Sequence, residues 1–197
     1  SHTFLDDVGL IIDTPEGKVV HIADFKLDPS KEESQKVIAK LAEISQQKVK
    51  LLLLESTNVE YKSSPISESV VHETVSSIVK RARGRIIVTS FASSLDRIQG
   101  VLNTAARFRK KVAVSGRSMD RAINIAMNLG YLKVPRNIVV DLHRIDHIPD
   151  NQLIILCTGS QGEEYSALVR MASGEHKQVK IRKGDTVVIS ASAIPGN

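Results

Sequence analysis

Three short apolar runs in the second half of the chain each end in a junction rich in Ser, Thr or Gly. The runs span 85–89, 111–114 and 152–157, and the junctions span 90–94, 115–118 and 158–163. Apolar residues at helical spacing follow each junction. Such alternation is typical of a mostly parallel sheet flanked by helices and joined by right-handed crossovers. The sequence therefore predicts an α/β fold.

The first sixty residues predict a smaller set of elements. Two strands, 8–12 and 18–22, flank Thr14-Pro15-Glu16-Gly17, whose Pro and Gly suit a tight turn. A helix is expected at 31–44. The run 49–54 is too apolar to face water, so we expect a strand covered on both faces. We place a domain boundary in the loop after Asn58, which gives domains 1–58 and 59–197.

Composition limits the possible settings and partners of the chain. No run approaches the roughly 20 apolar residues of a membrane helix, so we expect no membrane contact. One cysteine, Cys157, rules out an internal disulfide framework and leads us to expect a reducing, cytoplasmic setting. The 27 basic against 22 acidic residues favour a polyanionic partner. Only 4% of residues are aromatic and none is Trp, so few side chains could stack on bases.

The three junctions are candidates for ligand binding, because parallel strands end at one shared edge of a sheet. For any single junction, a simple helix cap is the better interpretation. Ser94 and Ser118 are predicted N-caps, each followed two residues later by an acid, Asp96 or Asp120. The three junctions together favour an edge that binds phosphate, with Arg117 able to make a bidentate contact.

The histidines give a weaker signal. Asp141, His143, Asp146 and His147 have the side-chain types of metal ligands. They lie in one short connection without a second pair of ligands, so we favour a solvated loop over a closed zinc site. His72 and His176 have no evident partner in the sequence and are expected to be structural or exposed.

Several strings of residues resemble one known family. His2-Thr3, Ala23-Asp24-Phe25-Lys26 and Glu55-Ser56-Thr57-Asn58 occur in the order used by ribonuclease J, a metallo-β-lactamase-fold β-CASP nuclease. Further matching segments are 84–88, 91–93, 116–119, 129–135, 158–163, 171–176 and 184–190. The resemblance runs nearly end to end. It implies a partial metallo-β-lactamase αββα segment at 1–58 and a β-CASP domain at 59–197.

The resemblance also implies roles for three residues. His2 matches a zinc ligand, and Asp24 matches the aspartate that bridges two metals. Glu55 matches the first β-CASP motif, whose carboxylate orients a histidine proton donor. The family uses two Zn²⁺ ions, with Mn²⁺ or Mg²⁺ as alternatives, and a bridging water as nucleophile. It cleaves RNA in the 5′-to-3′ direction from a monophosphorylated end and also internally, and a homo-oligomer is expected for the full-length protein.

The junction argument adds candidates for holding RNA or its terminal phosphate. They are Ser93, Arg117, Ser118, Ser160, Gln161 and Gly162.

Departures from the family pattern lead us to expect an incomplete metal site. The HxHxDH motif, which the family places before His2, is absent, and so are its later histidine motifs. We therefore expect this chain alone to be inactive, as a fragment of a longer nuclease rather than a natural truncation. The main alternative is a non-catalytic RNA-binding or assembly module. A Rossmann-like nucleotide binder ranks last, because GxGxxG does not follow the first strand. A split sheet within 1–58 would leave apolar surface exposed, which predicts weak ordering or self-association.

Overall fold

The computed structural model describes residues 8–25, 32–56, 59–60 and 66–191. The chain divides into two compact units, Ser1–Ser67 and Glu68–Asn197. The predicted boundary after Asn58 remains a prediction. His2, the predicted zinc ligand, lies outside the described residues.

The described residues of the first unit form a small mixed sheet and one helix. Its elements are β1 (Leu10–Thr14), β2 (Gly17–His21), α1 (Glu32–Ser45) and β3 (Val49–Leu53). β1 and β2 form the predicted antiparallel hairpin, in which Thr14 pairs with Gly17. Gly17 has φ +137°, a conformation that favours glycine. β3 then pairs with β2 in parallel.

The prediction that the apolar strand at 49–54 is covered on both faces is wrong. In β3, Leu51, Leu52 and Leu53 are exposed, and Leu52 has 51% of its surface accessible. Among the described residues of this unit, the buried apolar side chains are Val20 and Ile44. An apolar run indicates that a strand can be buried, but burial also needs a layer packed against it, which the described residues do not supply.

The second unit is an all-parallel sheet flanked by helices, as predicted. Its elements are α2 (Glu68–Arg81), β4 (Ile86–Thr89), α3 (Leu95–Arg107), β5 (Lys111–Ser115), α4 (Arg117–Asn128), β6 (Val139–Val140), β7 (Leu153–Cys157), α5 (Ala167–Ala172) and β8 (Thr186–Ile189). Two 3-10 helices, Leu142–His147 and Asp150–Gln152, precede β7. The strand order is β6-β5-β7-β4-β8, and every pairing is parallel.

Alternation along the strands divides the core of the second unit between the two faces of the sheet. Ile154 and Leu156 belong to the cluster formed with α2, α3 and α4, whereas Ile155 and Cys157 belong to the cluster formed with α5. β7 is buried along its whole length, since layers cover both of its faces. Its position in the middle of the sheet explains the continuous apolar run in the sequence.

No helix within the described parts of the chain is both long and apolar enough to cross a membrane.

Candidate functional site

A cleft of about 590 Å³ lies at the carboxyl ends of β2 and β3 in the first unit. Because these strands pair in parallel, with His21 beside Leu53, the segments that follow them leave the sheet side by side. The Ile22 N–H donates to Leu53 O at 3.0 Å and continues the pairing by one residue. Asp24 and Glu55 lie just beyond the two strands, and both line this cleft.

The donor types in the cleft suit divalent metals. Asp24 is exposed and Glu55 is partly buried, and the exposed imidazole of His21 also contributes to the lining. Carboxylate and imidazole groups bind Zn²⁺, Mn²⁺ and Mg²⁺. The structure thus places the two residues predicted as metal ligand and catalytic carboxylate in one cleft, while their roles remain predictions.

A second group of potential metal ligands lies in the second unit. Glu68 and His72 on α2 and Asp96 on α3 are, among the described residues, the group that brings three ligand atoms within 4.8 Å of one another. Both carboxylate oxygens of Glu68, however, accept hydrogen bonds from Arg97, at 3.0 and 3.2 Å. A cation here would compete with this guanidinium, so the group is better described as an ion-pair cluster. It was not predicted from the sequence, although Glu68 and His72 have the i, i+4 spacing of helix neighbours.

The three predicted junctions meet at the carboxyl edge of the five-stranded sheet. β7 lies between β5 and β4, so the junctions follow three adjacent strands. The Ser90 N–H donates to Cys157 O at 3.2 Å. A Cβ added to Gly116 would lie 2.8 Å from Thr158 Oγ1, so the loops after β5 and β7 touch. The prediction that the junctions share one edge is confirmed.

The predicted RNA-binding residues occupy different environments along this edge. Ser93 is partly buried in the turn before α3, and Arg117 and Ser118 are exposed in the first turn of α4. Ser160 is buried, and its Oγ has no hydrogen-bond partner among the residues that the structure describes. The Gln161 N–H donates to Glu163 Oε2 at 3.2 Å, and the exposed Gly162 has φ +75°. Their roles in binding RNA remain predictions.

The helix starts at this edge differ from those expected. Ser118 lies within α4, whose N-cap is Gly116, so its prediction as an N-cap is wrong. Gly116 has φ +116° and leaves no room for a side chain against Thr158, which explains why glycine stands there. Ser94 does occupy the N-cap position of α3, but its side chain makes no capping hydrogen bond. Asp96 and Asp120 lie in first turns, as predicted.

The glycine-rich loop after β7 does not lead directly into a helix. α5 begins only at Ala167, and Ser166 is its N-cap, with Oγ accepting from Val169 N–H at 3.5 Å. A helix follows this junction as the apolar spacing predicts, but it begins at Ala167 and not directly after Glu163. The loop instead packs on the start of α5, where Leu168 N–H donates to Thr158 O at 3.1 Å.

His176 makes a buried contact that sequence inspection did not reveal. Its Nδ1 accepts from Gln178 N–H at 3.3 Å and Val179 N–H at 3.1 Å, so Nε2 carries the proton. Nε2 lies 2.9 Å from Ser115 Oγ and donates to it. Burial lowers the pKa of His176, and the nearby charge of Arg170 lowers it further. The imidazole is therefore a neutral donor and not a base for Ser115.

The surroundings of Cys157 and His143 indicate structural roles for both side chains. Burial raises the pKa of Cys157 to about 12, so the thiol is protonated and unreactive at neutral pH. His143 lies in the 3-10 helix Leu142–His147, which is capped by Asp141, whose Oδ1 accepts from His143 N–H at 2.8 Å. This geometry agrees with the predicted solvated segment.

Comparison with known proteins identifies the family. The sequence profile described as "Ribonuclease J, beta-CASP domain" matches residues 83–197. The chain is 44% identical to ribonuclease J of Synechocystis, 41% to that of Thermus thermophilus and 39% to ribonuclease J 1 of Streptococcus pyogenes. Each alignment covers 100% of this chain but only 31%, 34% and 35% of the respective relative, so the chain spans about a third of their length. The chain belongs to the ribonuclease J family.

Proposed function

We propose that this chain is part of a metal-dependent ribonuclease that hydrolyses RNA phosphodiesters in RNA maturation and decay. The observation that carries the proposal is the shared cleft of Asp24 and Glu55. The names of the relatives supply the substrate class, RNA. Cleavage would proceed in the 5′-to-3′ direction from a monophosphorylated end and also internally, within a cytoplasmic and homo-oligomeric protein.

The residues in the cleft fit a metal-dependent mechanism in part. Asp24 would hold metal through its exposed carboxylate, and Glu55 would orient a histidine that donates a proton to the leaving oxygen. Bound Zn²⁺, Mn²⁺ or Mg²⁺ would supply a water activated for attack on phosphorus. That this chain alone does not cleave RNA remains an expectation from the sequence, in which the HxHxDH motif is absent.

A non-catalytic RNA-binding module is the second candidate function. Arg117 and Ser118 at the carboxyl edge of the second unit and the net charge of +5 favour this alternative. Contacts with phosphates release counterions, so the affinity of such a module for RNA falls as salt rises. An affinity that does not depend on salt would contradict it.

The full-length protein tests the catalytic role of Asp24. Asp24→Ala is expected to lower the rate on 5′-monophosphorylated RNA by at least about 100-fold, because even residues that only support metal ligands contribute roughly 10- to 100-fold. Asp13→Ala is the matched control, since Asp13 is an exposed carboxylate of the same unit that pairs with Lys18 outside the cleft. Equal rates for Asp24→Ala and the wild type would remove Asp24 from the mechanism.

A further inference from the structure

Arg170 is a partly buried arginine without an acidic partner in the part of the chain that the structure describes. Among the arginines of the described residues, three are buried or partly buried, namely Arg85, Arg97 and Arg170. Arg85 pairs with Asp185 and Arg97 pairs with Glu68. The Arg170 guanidinium has no ion pair among the described residues, and its Nε is fully buried without a hydrogen-bond partner. A buried N–H donor without an acceptor is costly, so this arrangement favours an added acceptor such as an anion.

Contacts place Arg170 beside the loop that follows β7. A Cβ added to Gly159 would lie 2.5 Å from Ser166 Oγ, so the backbone of this loop packs closely against the first turn of α5. Arg170 follows one turn later, and its N–H donates to Ser166 O at 3.2 Å. The Arg170 charge also lowers the pKa of His176, whose Nε2 donates a hydrogen bond to Ser115 at the end of β5. Arg170 therefore lies at the carboxyl edge, next to the ends of β5 and β7.

Ser160, in the same loop, is a second group without a partner within the described ranges. Its side chain is only 9% exposed, and its Oγ is buried without a hydrogen bond. A buried hydroxyl is expected to be hydrogen-bonded, and an unpaired one costs about 1–3 kcal/mol. The loop that carries Ser160 and the helix that carries Arg170 pack together, and each has one buried donor without a partner among the described residues.

We propose that Arg170 and Ser160 form a subsite for one phosphate group of the RNA backbone. The proposal rests on the proposed function, and it adds Arg170 to the candidate RNA-binding residues of the carboxyl edge. A guanidinium fork suits phosphate because two of its N–H groups can donate in parallel, and the Ser160 hydroxyl donates a further hydrogen bond. Phosphate would also neutralise the charge that the protein leaves uncompensated.

RNA binding by the 197-residue chain tests the subsite, with Arg170→Gln compared with Arg107→Gln. Arg107 is an exposed arginine at the end of α3, on the opposite edge of the sheet, so its variant controls for net charge. Arg170→Gln is expected to weaken binding of a single-stranded RNA by about 10- to 100-fold, the usual range for a lost charged hydrogen bond. It should also reduce the slope of log affinity against log salt by about 0.7. Arg107→Gln should change neither quantity by a comparable amount.

Inorganic phosphate provides a probe that does not depend on RNA binding. At constant ionic strength, phosphate should raise the melting temperature of the wild type and of Arg107→Gln but not of Arg170→Gln.

If the wild type binds RNA and Arg170→Gln binds equally with the same salt slope, the subsite is overturned while the proposed function stands. If the chain binds no RNA but phosphate still protects through Arg170, the subsite stands and the RNA-binding role of this chain fails. If the chain shows neither RNA binding nor phosphate protection, both the subsite and the RNA-binding role of this chain are overturned.

Two further variants keep the test decisive if Arg170→Gln does not fold. Arg170→Lys keeps the charge but loses the fork, and Ser160→Ala removes only the hydroxyl. Each is expected to lower phosphate protection partially. Full protection in both variants would overturn the subsite.

Discussion

Arg85 and Asp185 form a buried ion pair that joins the start of β4 to the turn before β8. Arg85 Nε and one terminal nitrogen bond both oxygens of Asp185, at 2.9 and 2.6 Å, and the side chains are 7% and 2% exposed. Burial alone would raise the pKa of Asp185, but hydrogen bonds from Arg85 and the Arg182 N–H outweigh this effect and lower it. The carboxylate is therefore charged throughout the neutral range.

Asp185→Asn is expected to destabilise the chain by about 3 kcal/mol, because Arg85 would remain buried without a counter-charge. The free energy of unfolding from urea titration measures this effect. Asp150→Asn is the matched control, since Asp150 pairs with Arg182 at the surface with half of each side chain exposed, and its loss should cost no more than about 1 kcal/mol. Equal costs for the two variants would show that the burial of the Arg85–Asp185 pair adds nothing.

At the scale of elements, His176 connects the segment after α5 to the end of β5. Its neutral ring accepts two backbone N–H groups at Nδ1 and donates to Ser115 from Nε2. Protonation of Nδ1 would break both accepted hydrogen bonds and place a second positive charge near Arg170. This contact is therefore sensitive to acid.

The stability of the chain should fall as the pH drops from 7 through about 6.5 towards the lowered pKa of folded His176. In that window the unfolded state binds more protons than the folded state, so stability rises with pH by up to about 1.4 kcal/mol per pH unit. His176→Asn should flatten this part of the pH profile, measured by urea unfolding at each pH. His147→Asn changes an exposed histidine and should leave the profile unchanged, whereas a wild-type profile that is already flat would contradict the prediction.

At the scale of the whole molecule, the two units differ in how much apolar surface they bury. The second unit has a core on both faces of its sheet, whereas the first exposes Leu10, Ile12, Leu51 and Leu53 on one face of its sheet. A contiguous apolar face of this kind promotes association. The expectation of self-association from the sequence thus gains a structural basis, and it remains a prediction.

Sedimentation velocity at rising protein concentration tests the expectation, since the wild-type chain should sediment faster as it associates. Leu51→Lys places a charge on this apolar face, in the exposed strand β3, and should suppress the concentration dependence. Leu129→Lys is the control, because Leu129 is also exposed but lies at the end of α4 in the second unit. A wild type that stays monomeric throughout would contradict the prediction.

Local patterns in the sequence were enough to predict much of this fold. The apolar run 152–157 predicted β7, and the Ser- and Gly-rich segments marked the ends of β4, β5 and β7. Their meeting at one edge also followed, because strands joined by helical crossovers run parallel and end on the same side. The motif strings containing Asp24 and Glu55 were also sufficient to indicate the family, since their residue types and their order along the chain are properties of the sequence.

Other properties depended on contacts between residues far apart in the sequence. His176 and Ser115 are 61 residues apart, and no local pattern brings them together. That no described carboxylate pairs with Arg170 is equally invisible in a sequence with 22 acidic residues, because only packing decides which carboxylates come near. The exposure of β3 has the same origin. The sequence by itself determined which segments form strands and helices, since periodicity and turn preferences act over a few residues. The tertiary structure alone decided which side chains are buried, paired or left without a partner, since these depend on which layers pack together.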